Sequence, residues 1–248
     1  MAIRSSPLID RRAFFAVCVA MVVGVWGVTA EAQGWEKIGS RDGVTAYRKF
    51  VEGFELPVIK GVGVIPAGIY DLLAVMEDVP SYPSWMESCR EARLIKNLNE
   101  YERIIYNRTA VPWPLSDRDA VVQSKITVDP VKKTVKIAFQ SIRSSLPGAG
   151  VVDGVVRMPI LKGFYLLEVI DEGKTRVTYQ AQADPGGFLP DWLVESASAD
   201  IPLNTITSLR KRVAVMEGKY TTFLEKWDPA HGGVGVGGVT VESTGVKP

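Results

Sequence analysis

The stretch Pro112-Trp113-Pro114-Leu115-Ser116-Asp117-Arg118-Asp119-Ala120-Val121-Val122-Gln123-Ser124-Lys125-Ile126-Thr127-Val128 decides how this chain folds. A strand-like run ends at Val111, a proline-bounded turn follows, and a new strand begins. From Arg118 onward the alternation is regular. Arg118, Ala120, Val122, Ser124, Ile126 and Val128 share one face, and Asp119, Val121, Gln123, Lys125 and Thr127 share the other. Arg118 therefore points with the apolar side, inward, while Asp119 points away. A buried charge without a partner is costly, so an inward arginine calls for a carboxylate. Glu91, on the strand-like run Arg90–Lys96, is the candidate.

Working outward, further strand-like runs occupy Thr45–Val51, Val58–Val64, Arg103–Val111, Thr134–Ser141, Val151–Met158, Phe164–Ile170 and Arg176–Ala183. Asn97/Asn99, Asp129-Pro130 and Asp171-Glu172-Gly173 supply turns between them, which is the pattern of an antiparallel meander. Pro66 opens a helix over Ala67–Glu77, with Ile69, Leu72, Leu73 and Met76 at helical spacing. A long helical region runs from Pro190 to Trp227. Leu203, Ile206, Leu209, Val213 and Met216 line one of its faces, and Pro202 is expected to kink it. The fold class is α+β: a curved antiparallel sheet wrapped around a long C-terminal helix, with a hydrophobic cavity between them.

The ends of the chain read differently. Arg4, Arg11 and Arg12 precede an apolar run from Ala13 to Val28, and Ala30-Glu31-Ala32 is an A-x-A cleavage pattern. Residues 1–32 are expected to be a secretory signal peptide, cleaved near Ala32, leaving the protein periplasmic or extracellular. Asp10-Arg11-Arg12-Ala13-Phe14-Phe15 also suits a twin-arginine signal, so either export route is open. Residues 33–228 form the folded domain. Residues 229–248 are a glycine-rich tail expected to be disordered.

Charge and rare residues exclude several functions. The 248 residues carry 29 Lys plus Arg against 28 Asp plus Glu, a formal net charge of +1. Removing residues 1–32 takes away three arginines and two acids (Asp10, Glu31), which leaves the mature chain neutral. That balance argues against nucleic-acid binding. Cys18 leaves with the leader, so Cys89 has no disulfide partner within the chain. The one histidine, His231, lies in the tail, which disfavours a His-based metal site or a Ser-His-Asp triad. No metal or cofactor is expected.

At this point the chain resembles the START family of lipid-transfer domains. The resemblance rests on Trp35 with Asp42-Gly43-Val44 and Tyr47, on Trp85, and on the 112–119 string. It continues through Gly154-Val155-Val156-Arg157, Asp184-Pro185-Gly186-Gly187-Phe188-Leu189-Pro190-Asp191-Trp192-Leu193, and Ile201-Pro202 through Leu209-Arg210. It implies the helix-grip fold of the START and Bet v 1 type and a lipid-binding, lipid-transfer function without catalysis. One hydrophobic ligand would sit in an internal tunnel gated by the C-terminal helix and the 143–154 loop. It also implies a buried Glu/Arg pair, which maps onto Glu91 and Arg118. The wall or lid of the tunnel maps onto Trp85, Val122, Ile126, Trp192, Leu203, Ile206 and Leu209. The expected partners are a small hydrophobic ligand and, transiently, a membrane surface, with the protein acting as a monomer.

Plainer readings stand beside these. Glu91–Arg118 also reads as a structural ion pair, Trp85 as ordinary core, and Trp113 as packing for its turn. The stripe from Leu203 to Met216 must cover the sheet whether or not a ligand lies beneath. Ser196-Ala197-Ser198-Ala199, small and weakly packing, suits a segment that opens. An acid/base enzyme on the same scaffold, drawing on Glu91, Asp119 or Tyr179, is the alternative function.

Overall fold

The computed structural model describes residues 34–216 and 218–233. Its strands are β1 (Glu36–Arg41), β2 (Val44–Lys49), β3 (Val58–Ile65), β4 (Cys89–Asn97), β5 (Glu102–Thr109), β6 (Arg118–Asp129), β7 (Thr134–Ser141), β8 (Val156–Arg157), β9 (Ile160–Asp171) and β10 (Lys174–Asp184). Its helices are α1 (Ile69–Glu77), α2 (Asp191–Ala214) and α3 (Thr221–Trp227), with short 3-10 turns at Val79–Ser84 and Pro229–His231.

The strands form one sheet in the order β1-β2-β3-β10-β9-β7-β6-β5-β4. Neighbours pair antiparallel, apart from the two-residue β8, which lies parallel to the start of β6. Sequence neighbours mostly pair with each other, as a meander requires. β7 pairs with β9 past the short β8, and β3 pairs with β10, so α1 and the turn after it must carry the chain from the middle of the sheet to its far edge at β4. This is the α+β sheet-and-helix arrangement that the alternation indicated.

The amphipathic stripe of α2 closes the core. Leu203, Ile206 and Leu209 are buried with Val44, Ala46, Ile65 and Val177 of the sheet and Leu72 and Leu73 of α1. Each such side chain stabilises the fold by roughly 1.5–3 kcal/mol relative to leaving it in water. The approach is close because β3 has glycines there. A Cβ on Gly61 would stand 2.8 Å from Pro202 Cβ and 3.0 Å from Ile206 Cδ1. The helix is continuous through Pro202, whose ring rests over this bare stretch of strand.

Four sequence expectations change. β1 was not anticipated, because Glu-Lys-Ile-Gly-Ser-Arg has no alternation of apolar residues. It forms through the turn Asp42-Gly43, whose φ angles of 50° and 73° give the two-residue hairpin its left-handed backbone. The strand expected over Val151–Met158 shrinks to Val156–Arg157, the rest being loop. The long C-terminal helix ends at Ala214, and α3 is separate. Pro229–Gly233, expected as tail, form a turn in which the Gly233 N–H donates to the Asp228 carbonyl at 2.8 Å and His231 Nδ1 lies 2.8 Å from Asp228 Oδ2. The leader 1–32 and the tail from 234 on lie outside the described residues.

Candidate functional site

A cavity of about 380 Å³ lies between the inner face of the sheet and the N-terminal half of α2. The pairing registers lay out its wall as successive rows across the strands. Thr109 and Arg118 form the first row, and Ile105 and Val122 a deeper one. Then come Ser124 with Phe139, and last Ile137, Tyr165 and Tyr179. The side chains that face this space are mostly aliphatic or aromatic because they are the alternate residues of β5, β6, β7, β9 and β10. Leu193, Val194, Ala197 and Ile201 of α2 cover it, and Tyr82, Trp85 and Met86 close one side.

Polar side chains are a minority of the lining, and its carboxylates are Glu87 and Asp200. Tyr82 donates to the Met76 carbonyl at 2.8 Å. Cys89 lies 3.7 Å from Asn107 Oδ1, and burial pushes its thiol up to about 11, so it is an uncharged group here. Burial likewise raises the hydroxyls of Tyr165 and Tyr179 above the usual phenol range, the nearness of Tyr179 adding to it at Tyr165. Their rings are 4.8 Å apart between centroids.

Arg118 is buried on this wall, as the alternation required, but its partners are not what the sequence suggested. Its guanidinium donates to the carbonyls of Ser116 (2.7 Å), Gly186 (3.1 Å) and Phe188 (3.2 Å), with a longer contact of 3.4 Å to Pro185. It thereby ties the start of β6 to the strap between β10 and α2. Glu91 is on the opposite face of the sheet, paired with Arg93. The reason is a β-bulge at Arg90: Cys89 pairs with Thr109, yet Glu91 pairs with Arg108, so one extra residue turns Glu91 outward. The expected Glu91–Arg118 pair is therefore absent.

Asp119 is on the outer face too, but it is buried there. It receives Arg157 Nε at 2.5 Å, and Arg157 also donates to the carbonyls of Ala149 and Gly150. Ala149 packs with Ile104, Tyr106 and Val121, with Leu146 and Val152 around them. The 143–154 loop thus covers the outer face of β5 and β6, and none of its residues lines the cavity.

Of the other expected wall and lid residues, Trp85 and Val122 line the cavity. Ile126 does not; it packs in the core past the cavity's end. Leu203, Ile206 and Leu209 also belong to the core, because the glycines of β3 draw that half of α2 onto the sheet and leave no space under it. Trp192 faces solvent at 63% exposure, and its neighbour Leu193 faces in. Trp113 and Phe188 are exposed as well, at 92% and 78%, each next to a lining residue, Pro112 and Leu189.

The comparisons with known proteins fit this architecture. Residues 20–216 match the START domain. The chain belongs to the START domain family. An uncharacterized protein of Pseudomonas aeruginosa is 32% identical over 194 residues, covering 78% of this chain and 93% of that protein. The phosphatidylcholine transfer protein of Rattus norvegicus is 29% identical over 168 residues, covering 66% of this chain and 76% of its own length. The crystal structure of the STAR-related lipid transfer protein from Xanthomonas axonopodis aligns with a TM-score of 0.66 at 28% identity, over 73% of this chain and 99% of that one. The Glu/Arg pair implied by the START resemblance is not formed by Glu91 and Arg118 here, and no residue of the 143–154 loop lines the cavity.

Sequence reasoning missed Tyr165, Phe139 and Ser124 as lining residues. A signal existed for Ser124, which shares the face assigned to Arg118 and Val122. Tyr165 could be placed only once its pairing with Tyr179 was known, since neither strand's run says which parity faces inward.

Proposed function

We propose that this protein is a non-catalytic lipid carrier that holds one hydrophobic ligand in the cavity and exchanges it at membranes. The observation that carries the reading is the mainly apolar cavity of about 380 Å³ between the sheet and α2. A lipid chain crossing water exposes about 0.8 kcal/mol per CH₂. For a chain of about 16 carbons, that is on the order of 13 kcal/mol, most of which a closed apolar cavity offsets. Membership of a family that includes lipid transfer proteins supports the same reading.

Exchange requires an opening. The N-terminal half of α2, with its small residues Ser196-Ala197-Ser198, and the strap over 185–189 are the proposed gate, since both border the cavity. Trp113, Phe188 and Trp192, exposed close to lining residues, are the proposed membrane contact. Aromatic side chains of this kind favour the membrane interface. A neutral mature chain, exported and monomeric, would then touch membranes reversibly rather than dock by charge. Of the acid/base candidates, Glu91 and Asp119 are on the far side of the sheet from the cavity, which weighs against an enzyme.

The test is mass spectrometry of an organic extract of the purified protein, followed by transfer of that lipid between donor and acceptor vesicles. One lipid per protein, moved unchanged, is the expected result. Failure to retain or move any lipid would overturn the proposal, and chemical conversion of the lipid would favour the enzyme.

A further inference from the structure

Two hydroxyls in the cavity have no partner among the described residues. Tyr165 and Tyr179 are 6% and 9% exposed and line the space from adjacent strands, paired directly opposite each other. Neither phenol has a hydrogen-bonding partner among the described residues, and burial, not a hydrogen bond, is the leading cause of each raised pKa. Tyr82, on the same cavity, does find a backbone acceptor. A buried tyrosine hydroxyl ordinarily meets an acceptor, so two side by side without one mark a place where something else supplies it.

The charge around them narrows what that is. Both phenols stay protonated, so each offers a donor. Arg118 is the one Lys or Arg among the described residues that line the cavity. Arg118 lies rows away along β6, and its guanidinium is engaged with backbone carbonyls. An anionic head group at the phenols would be a buried charge without a cation, which is strongly unfavourable. An uncharged oxygen is not.

The volume narrows it again. A cavity of about 380 Å³ is on the scale of one compact apolar body, a single chain or a single ring system.

We propose that the ligand is a lipid with one apolar body and one uncharged oxygen function, an alcohol, seated oxygen-inward against the hydroxyls of Tyr165 and Tyr179. This rests on the carrier reading above and adds the ligand's class and orientation. Both hydroxyls donate to the ligand oxygen, while the apolar body lies along Ile105, Val122 and Phe139 toward the Arg118 end.

The experiment offers the purified protein vesicles of phosphatidylcholine containing equal small fractions of hexadecan-1-ol, cholesterol and hexadecanoate. The protein is re-isolated and its bound lipid counted by mass spectrometry. One of the two alcohols should dominate, at close to one per protein. Tyr165→Phe and Tyr179→Phe keep the ring and remove only the oxygen, so thermal melting should show folded proteins. Each should bind the preferred alcohol on the order of 5–10-fold more weakly. Preferential retention of hexadecanoate or phosphatidylcholine, or undiminished alcohol binding by folded Phe variants, overturns this inference and leaves the carrier reading standing. No retained lipid of any kind overturns both.

Discussion

Replacing Arg118 with methionine should loosen the mouth of the cavity without emptying its wall. Methionine keeps an unbranched apolar stem in place and removes the guanidinium. Three contacts of 3.2 Å or less are lost, to the carbonyls of Ser116, Gly186 and Phe188. Hydrogen bonds to a charged group are worth about 1.5–3 kcal/mol each. Against that, carbonyls in the strap can turn to water, and the burial cost of the cation, which holds the Arg118 pKa below its ordinary value, is recovered. About 1 kcal/mol per contact is then a reasonable net, or about 3 kcal/mol in all. For a domain of this size, each kcal/mol moves the melting temperature by about 2–4 °C, so a fall of about 6–12 °C is expected by calorimetry. If the tether also resists opening of the strap, the open population rises by up to about 100-fold, and vesicle-to-vesicle transfer accelerates until another step limits it. Glu91→Gln combined with Arg118→Met should be additive, since the two side chains lie on opposite faces of the sheet. An unchanged melting temperature and transfer rate would refute the tether. A coupling above about 0.5 kcal/mol in the double mutant would restore the ion pair that the bulge is argued to prevent.

Gly61→Val should destabilise the protein by roughly 1–3 kcal/mol in urea unfolding, because its Cβ would stand 2.8 Å from Pro202 Cβ and force α2 away from β3. Asp117 gives a pH dependence. Burial acts to raise its pKa, but the Val111 N–H, Arg108 and Arg90 outweigh that and hold it below the ordinary value. A carboxyl lowered on folding stabilises above its unfolded pKa of about 4 and ceases to as pH falls through the folded value. The urea midpoint should therefore drop below about pH 4, and Asp117→Asn should be less stable at neutral pH with a shallower acid fall. Trp113→Ser with Phe188→Ser should leave stability within about 0.5 kcal/mol, both residues being exposed, while vesicle binding and transfer weaken. Equal transfer by this double variant would remove these side chains from the membrane contact.

The sheet, its helix and the inward Arg118 were legible because they rest on periodicity. The alternation of β6 and the stripe of α2 are written into consecutive residues. The cavity's position was not legible, because it depends on where α2 cannot touch the sheet. Leu203, Ile206 and Leu209 have the same spacing whether they roof a ligand or press on Gly61 and Gly63, and only the missing Cβ atoms on the neighbouring strand decide. The 143–154 loop fell on the outer face for a similar reason. Its anchors, Arg157 on Asp119 and Arg93 on the Gly148 carbonyl, link residues too distant in sequence for any local pattern to join them.

The bulge at Arg90 has the widest consequence. A strand alternates strictly, so Glu91 would share the inner face with Cys89 if the pairing with β5 ran without a break. One inserted residue reverses the facing of Glu91 through Leu94, until a second irregularity between Leu94 and Lys96 restores it. The carboxylate that looked like the natural partner of Arg118 therefore goes to the outer face. Without it, Arg118 turns to backbone carbonyls and becomes a tether for the strap. With Glu91 and Asp119 both directed outward, the row-by-row wall from Val122 to Tyr179 is left to aliphatic side chains, aromatic rings and uncharged hydroxyls. Such a wall can orient a ligand by shape and by a hydrogen bond, and a bulge one residue long is what separates it from a wall carrying a buried ion pair.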